Sequence, residues 1–316
     1  MPKDDHFNSI VRMINIGCSI LSIIGSMFII LSFIFIRKIR EIYHIRIVLS
    51  IGVANLIFTL AGLGSIIPDI LKNDGQNPIC RAFGFARQFG SVSLLFLTAV
   101  FAVMVLLWAT SKPPGIRRYE KLTIIPVVLV SLVMALYLLL ADKLGYSYLV
   151  CWIRNDLSRL ETFILVFAEF YGILPLVLLV NLYCFIKTIN HTRGSMSKRQ
   201  AYQLLFFPLV LLVCFLGALV DRIVMSKDTD SGPVWLRIWN ISGAQLFGFL
   251  NALIYGYNKN ISNIVWQSAK CGCRCRKERT INPSHNSIMA SRPFLTNNSE
   301  SNDSSEQMPV TISTRR

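Results

Sequence analysis

Charge is scarce in this chain. Of its 316 residues, 16% are Asp, Glu, Lys or Arg, against roughly a quarter in an average soluble domain. The shortage falls on the acidic side: 17 Asp and Glu face 32 Lys and Arg, for a formal net charge of +15. Histidine is rarer still, with only His6, His44, His191 and His285, and none sits within an apolar stretch. That leaves little material for a histidine-centred active site or a metal-dependent hydrolase. No catalytic residue, metal ligand or cofactor is therefore assigned. The last apolar stretch also has no lysine, since Lys259 lies past its inner end, so a retinal Schiff base has no point of attachment.

What the chain has in abundance is apolar residues, 53% of the total, gathered in blocks. Seven blocks are long enough for a hydrocarbon core of about 30 Å, which takes roughly 20 helical residues. They fall near 14–36, 46–70, 83–108, 122–141, 162–186, 203–225 and 235–258. Helices are expected because lipid offers no partner for a free backbone group. The fold class is an all-α membrane protein, a seven-transmembrane helix bundle spanning 14–258. Pro68, Pro126, Pro175 and Pro208 punctuate four of the blocks, and each removes one helical hydrogen bond.

Basic residues set the orientation. The connections on the same side as the long carboxyl-terminal segment carry 21 of them, and those on the other side carry 8. This bias predicts an extracellular amino terminus (1–13) and a cytosolic tail. The positive charge is spread over four separate loops, which suits a topology signal and not a nucleic-acid face. The polar lead with Asp4 and Asp5 runs directly into a full-length span, so the first helix is expected to act as its own signal anchor. The Asn-x-Ser/Thr sequons at Asn190, Asn240, Asn260, Asn297 and Asn302 fall in spans or on the cytosolic side. None is expected to carry glycan.

Two of the eight cysteines, Cys80 and Cys151, lie in the outer half-loops, where an oxidising environment favours a disulfide. Closing a loop of about 70 residues stabilises by on the order of 4 kcal/mol in the chain-entropy picture. Cys18, Cys184 and Cys214 read as small core residues. Cys271, Cys273 and Cys275 alternate with Gly272, Arg274 and Arg276 just past the last span. Metal binding there lacks a histidine partner, whereas juxtamembrane cysteines beside basic residues suit palmitoylation. Before them, Ile261, Ile264, Val265 and Trp266 oppose Asn260, Asn263 and Gln267, the pattern of a short interfacial helix in 259–275. Residues 276–316 are rich in Ser, Thr and Asn and too poor in apolar residues to fold alone. Ser299, Ser301, Ser304 and Ser305 stand among acidic neighbours as candidate phosphorylation sites.

Polar groups inside a span mark function by default. Here they gather in the outer half: Arg87, Gln88 and Ser91 in span three, Glu169 in span five, Asp221 and Arg222 in span six, and Arg237, Asn240 and Gln245 in span seven. Arg87, Gln88, Glu169, Arg222 and Gln245 are taken as candidate ligand-binding residues of a cavity open to the outside. Arg222 and Arg237 are also near enough to helix ends to snorkel to water, and Arg87 and Glu169 could instead pair with each other. Two arginines facing one cavity would favour an anionic ligand.

Local motifs give this architecture a likeness. The last span reads Gly248-Phe249-Leu250-Asn251-Ala252-Leu253-Ile254-Tyr255-Gly256-Tyr257-Asn258. Span six runs from Leu204-Leu205-Phe206-Phe207-Pro208 to Asp221-Arg222-Ile223, and the outer loop holds Cys151-Trp152. Over 14–270 the chain resembles the G-protein-coupled receptors, and within them the cyclic-AMP-receptor-like class known from slime moulds. Span three ends Leu107-Trp108-Ala109-Thr110 without Asp-Arg-Tyr, unlike the rhodopsin-like class. The resemblance implies a plasma-membrane receptor that binds an extracellular ligand, for which an anion such as cyclic AMP suits the arginines, and activates a heterotrimeric G protein. It also implies kinases and an arrestin-like protein as partners of the tail. Asn251 and Tyr255, one turn apart on span seven, are candidates for an inner switch. A small-solute transporter built on repeats is the alternative, but no motif is shared between spans 1–3 and 5–7.

Overall fold

The computed structural model describes residues 3–41, 45–66, 77–111, 116–147, 150–154, 157–191, 198–225, 233–257 and 261–266. The elements are α1 (Lys3–Phe35), a 3-10 turn (Arg37–Glu41), α2 (Ile45–Gly64), α3 (Pro78–Ser111) and α4 (Ile116–Leu140). A hairpin of β1 (Leu144–Ser147) and β2 (Val150–Ile153) follows. Then come α5 (Arg159–Val166), a π-turn (Phe167–Tyr171), α6 (Ile173–His191), α7 (Lys198–Met225) and α8 (Val234–Tyr257). A last helical turn covers 261–266, within the segment expected to form the interfacial helix. Because α5, the π-turn and α6 follow one another almost without a break, the described residues contain seven long helical rods, one for each apolar block.

Five of the rods contain a segment long and apolar enough to cross a membrane: Ser9–Phe35, Ile45–Gly64, Pro78–Leu107, Leu122–Leu140 and Leu160–Asn190. In α7 the apolar part is shorter, Leu209–Asp221. The polar load of α8, with Arg237, Asn240, Gln245 and Asn251, lowers its hydropathy. Large apolar side chains such as Ile24, Phe35, Val133 and Leu140 are exposed along these rods. In water they would make an aggregating surface; against acyl chains they are matched. The protein is an all-α, membrane-embedded chain.

Several boundaries differ from those expected on hydropathy. The polar lead joins α1, which starts at Lys3 and not near 14. The start of α3 lies at Pro78, ahead of the apolar run. Asn77 Oδ1 accepts the Ile79 N–H at 2.9 Å, and Pro78 occupies the first helical position, where its missing N–H costs nothing. Pro68 and the cysteines at 271, 273 and 275 lie outside the described residues, as does the whole segment 267–316.

Helix α3 is central. It packs on α2, α4, α6, α7 and both strands, while α1 lies against α2 and α8, and α8 also against α7. Lipid removes the hydrophobic drive between helices, so close packing and hydrogen bonds carry the association. The α1–α8 contact illustrates this. A Cβ on Gly25 would lie 2.8 Å from Phe249 Cα, and one on Gly248 would lie 2.0 Å from Asn55 Nδ2. Asn55, 1% exposed, donates from Nδ2 to Ser22 Oγ at 3.0 Å and Ser26 Oγ at 2.9 Å. That amide joins α2 to α1 beneath the backbone of α8.

The hairpin was not anticipated from the sequence. Its antiparallel register pairs Leu144 with Ile153 and Tyr146 with Cys151. Asp142, at φ 55°, takes the left-handed conformation that ends α4 and that Asp tolerates better than most residues. Leu144 and Ile153 bury themselves with Leu138 and Leu165. Outside, Asp142 pairs with Arg81 at 2.9 Å and Arg154 at 3.4 Å, and Lys143 with Glu161 at 2.5 Å. These pairs are solvent-facing and contribute little each. The strong tie is the expected disulfide, Cys80–Cys151, which fixes β2 to the start of α3 with a Cα–Cα distance of 5.3 Å.

Candidate ligand-binding pocket

Beneath the hairpin, six elements converge on one partly enclosed pocket, about 430 Å³ of empty space counting the solvent at its mouth. Phe58 of α2, Arg87 and Ser91 of α3, Trp152 of β2, Phe170 and Tyr171 of the π-turn, Phe215 of α7 and Asn240 of α8 line it. Aromatic side chains make up half of the lining, beside two alanines and a few convergent polar groups, a make-up that small-molecule sites share.

Arg87 is the cation of the pocket. Its guanidinium lies over the Phe58 ring, 4.8 Å from the centroid, an attraction worth up to about 2 kcal/mol when desolvated. Its Nη1 is buried and has no hydrogen-bond partner among the described residues. A Cβ on Gly62 would come within 2.7 Å of that Nη1 and 2.9 Å of Gln245 Nε2. The absent side chain at 62 thus makes room for Arg87 and Gln245 to approach each other. Gln245 is 1% exposed, and its Oε1 is likewise unpartnered. Leaving a charged donor dry costs several kcal/mol unless something accepts from it.

Across the pocket, Asn240 Nδ2 donates to the buried Asp221 carboxylate at 2.8 Å. Gln88 does not line the cavity. It is fully buried, its Oε1 accepts from Trp152 Nε1 at 2.7 Å, and its Nε2 donates to both the main-chain O and Oε2 of Glu169 at 3.2 Å. Glu169 is also buried, and among the described residues its carboxylate meets Gln88 and forms no ion pair with Arg87. Arg222 follows Asp221 in α7; its side chain lies outside those described.

Below the pocket, the rings of Phe170, Phe215 and Phe247 succeed one another at centroid distances of 6.1 and 5.8 Å. One turn on from Phe247 is Asn251, buried, with neither amide atom partnered. Tyr255 follows, its ring edge-on to Phe28 at 5.9 Å. Its buried hydroxyl faces Ser32 without reaching hydrogen-bond geometry.

Comparison with known proteins decides the family. Residues 3–272 match the family described as slime mold cyclic AMP receptor. The chain belongs to that family. A relative named G-protein coupled receptor 1, from Arabidopsis thaliana, is 22% identical over 274 residues, which cover 81% of each chain. Members of a receptor family are expected to act by binding and conformational change, in keeping with the shortage of catalytic material in the sequence.

Of the residues singled out for this receptor from sequence, the structure brings Arg87 and Gln245 together and links Gln88 to Glu169. It places Asn251 and Tyr255 on one buried face. Sequence reasoning missed Phe58, Phe170, Tyr171 and Phe215 as wall residues, because aromatic residues in an apolar span look alike whichever way they face. It also missed Asn55, although a lone amide in mid-span is a usable signal.

Proposed function

We propose that this membrane protein is a seven-span cell-surface receptor with its amino terminus outside. In this reading a small extracellular anion occupies the pocket of Arg87, and a heterotrimeric G protein is activated at the cytosolic face. The carrying observation is the buried, unpartnered Nη1 of Arg87 on the pocket wall, a donor whose natural complement is a carboxylate or phosphate oxygen. Family membership supports the receptor class and, with it, the cell-surface location, and the 21-to-8 distribution of basic residues supports the orientation. Taking α7 and α8 as spans six and seven is part of the same reading; Asp221, Gln245 and Asn251 are buried in the bundle, where polar groups are affordable. Arg222 of α7 and Gln245 of α8 are taken to complete the proposed anion site. Asn251 and Tyr255 serve as the inner switch, reached from the pocket through the Phe170–Phe215–Phe247 rings. Palmitoylation at Cys271, Cys273 and Cys275 and phosphorylation of the tail, with an arrestin-like partner, belong to the same proposal.

The test is a thermal-shift panel on the full chain in lipid discs, comparing small anions (cyclic AMP, other nucleotides, carboxylates, phosphates) with neutral and cationic compounds. The expected stabilisers are anions, and Arg87→Leu abolishes their effect. Equal stabilisation of Arg87→Leu, or stabilisation by cations alone, would overturn the reading.

A further inference from the structure

We propose that Gln88 is the positioning residue of this pocket, and that the π-turn Phe167–Tyr171 is a wall element it holds open. The inference rests on the reading of the pocket as the ligand site. Three wall residues, Trp152, Phe170 and Tyr171, come from two elements that Gln88 ties to α3. Gln88 itself lies behind the wall, with no exposed surface. Each part of its amide is engaged: the oxygen by the Trp152 indole N–H, the nitrogen by Glu169 twice. One of the two Glu169 bonds is to the main-chain carbonyl, so Gln88 grips the turn itself as well as a side chain on it.

The local sequence makes the wide turn possible without making it obligatory. Pro175 has no N–H to give to the carbonyl of residue 171, and its ring crowds that carbonyl in a regular helix. Gly172 closes the turn by donating its N–H to Phe167 O at 2.6 Å, and a Cβ there would lie 2.9 Å from that same oxygen. Turns of this kind are rare and tend to sit at functional sites. Tightening it to an α-helix would shift the register by one residue, a relative rotation of about 100° with about 1.5 Å of translation between the flanking helices. Phe170 and Tyr171 would then leave the wall, and the inner part of the fifth rod would turn with respect to α3. Gln88 therefore sets which of the two pocket shapes is presented, and a ligand that displaces Trp152 would reach the fifth rod through it.

The experiment needs no ligand. Hydrogen–deuterium exchange of the full chain in lipid discs compares the wild type with Gln88→Met, which keeps the volume and removes all three bonds, and with Glu169→Gln, which still offers both acceptors. The expected result is at least tenfold faster exchange over 167–175 in Gln88→Met, unchanged exchange in the α1 segment 15–30, and a wild-type pattern in Glu169→Gln. A Tyr171→Cys thiol, labelled by a water-soluble reagent, is expected to react at least tenfold more slowly in the Gln88→Met background. If Gln88→Met fails to fold, Gly172→Ala, which crowds Phe167 O directly, is expected to give the same local change. Wild-type exchange over 167–175, or an acceleration spread evenly over all helices, would overturn the proposal. Loss of anion stabilisation in Arg87→Leu is read separately, so failure of the ligand reading and failure of the Gln88 role are distinguishable.

Discussion

Replacing Gly248 by alanine is expected to loosen the α1–α2–α8 junction by a predictable amount. The added Cβ would sit 2.0 Å from Asn55 Nδ2 and 2.5 Å from Ser22 Oγ, where ordinary contact begins at 3.4 Å. The Asn55 amide must retreat by about 1.4 Å, the difference between 2.0 and 3.4 Å. Such a shift breaks its 3.0 and 2.9 Å bonds to Ser22 and Ser26. Interhelical hydrogen bonds in membrane bundles average about 0.6 kcal/mol each. Overpacking adds roughly 1–3 kcal/mol. The expected cost is therefore about 2–4 kcal/mol, read as a fall in melting temperature of about 10 °C by intrinsic tryptophan fluorescence in lipid discs. Asn55→Ala alone should cost less, because Ser22 and Ser26 can turn back to their own helix. In that background Gly248→Ala should be nearly neutral, the new methyl entering the space the amide leaves. A Gly248→Ala protein within about 0.5 kcal/mol of wild type, or strict additivity of the two changes, would refute the steric account of this junction.

Further outcomes follow from the outer region. Cys80→Ser and Cys151→Ser are each expected to lower surface expression sharply, since they open a 71-residue link; normal cell-surface levels of both would remove the disulfide's stabilising role. Gly62→Ala should displace the Arg87 guanidinium without removing its charge, weakening anion-induced stabilisation at least tenfold while leaving the melting temperature of the unliganded protein within a few degrees. Arg87→Lys is expected to recover only part of that stabilisation, because an ammonium cannot reproduce the forked donor. Treatment with a glycosidase should leave the gel mobility unchanged, as none of the five sequons is expected to be modified.

Each of the seven apolar blocks corresponds to a helical rod among the described residues, and in five of them the apolar segment is long enough to cross a membrane, where lipid tolerates only helices. Hydropathy failed at their ends, where single hydrogen bonds decide, as Asn77 does at the start of α3. The disulfide was legible because the distribution of basic residues puts Cys80 and Cys151, and no other cysteine, in connections expected to lie outside. The hairpin was not, since Leu144–Ser147 and Val150–Ile153 are four residues each, too short for a period to register. Arg87 in the pocket, and Gln245 near it, were legible as costly polar residues inside apolar blocks. Gln88 was legible as a polar residue in an apolar block but not in its bonds to Trp152 and Glu169, for a sequence does not show which bonds an amide spends. Pro175 and Gly172 together mark an irregular helix; only the structure shows that the irregularity is a widened turn that aims Phe170 and Tyr171 into the pocket.

The central claim, that this chain signals as a receptor, is tested most directly by GTP exchange. The full-length protein in lipid discs would be presented to a panel of heterotrimeric G proteins, with and without cyclic nucleotides and whichever anions stabilise it. Exchange above the empty-disc control, abolished with Arg87→Leu when it is ligand-dependent, is the predicted result. No exchange on any G protein under any of these conditions, together with solute flux across reconstituted vesicles, would contradict it and leave a transporter in its place.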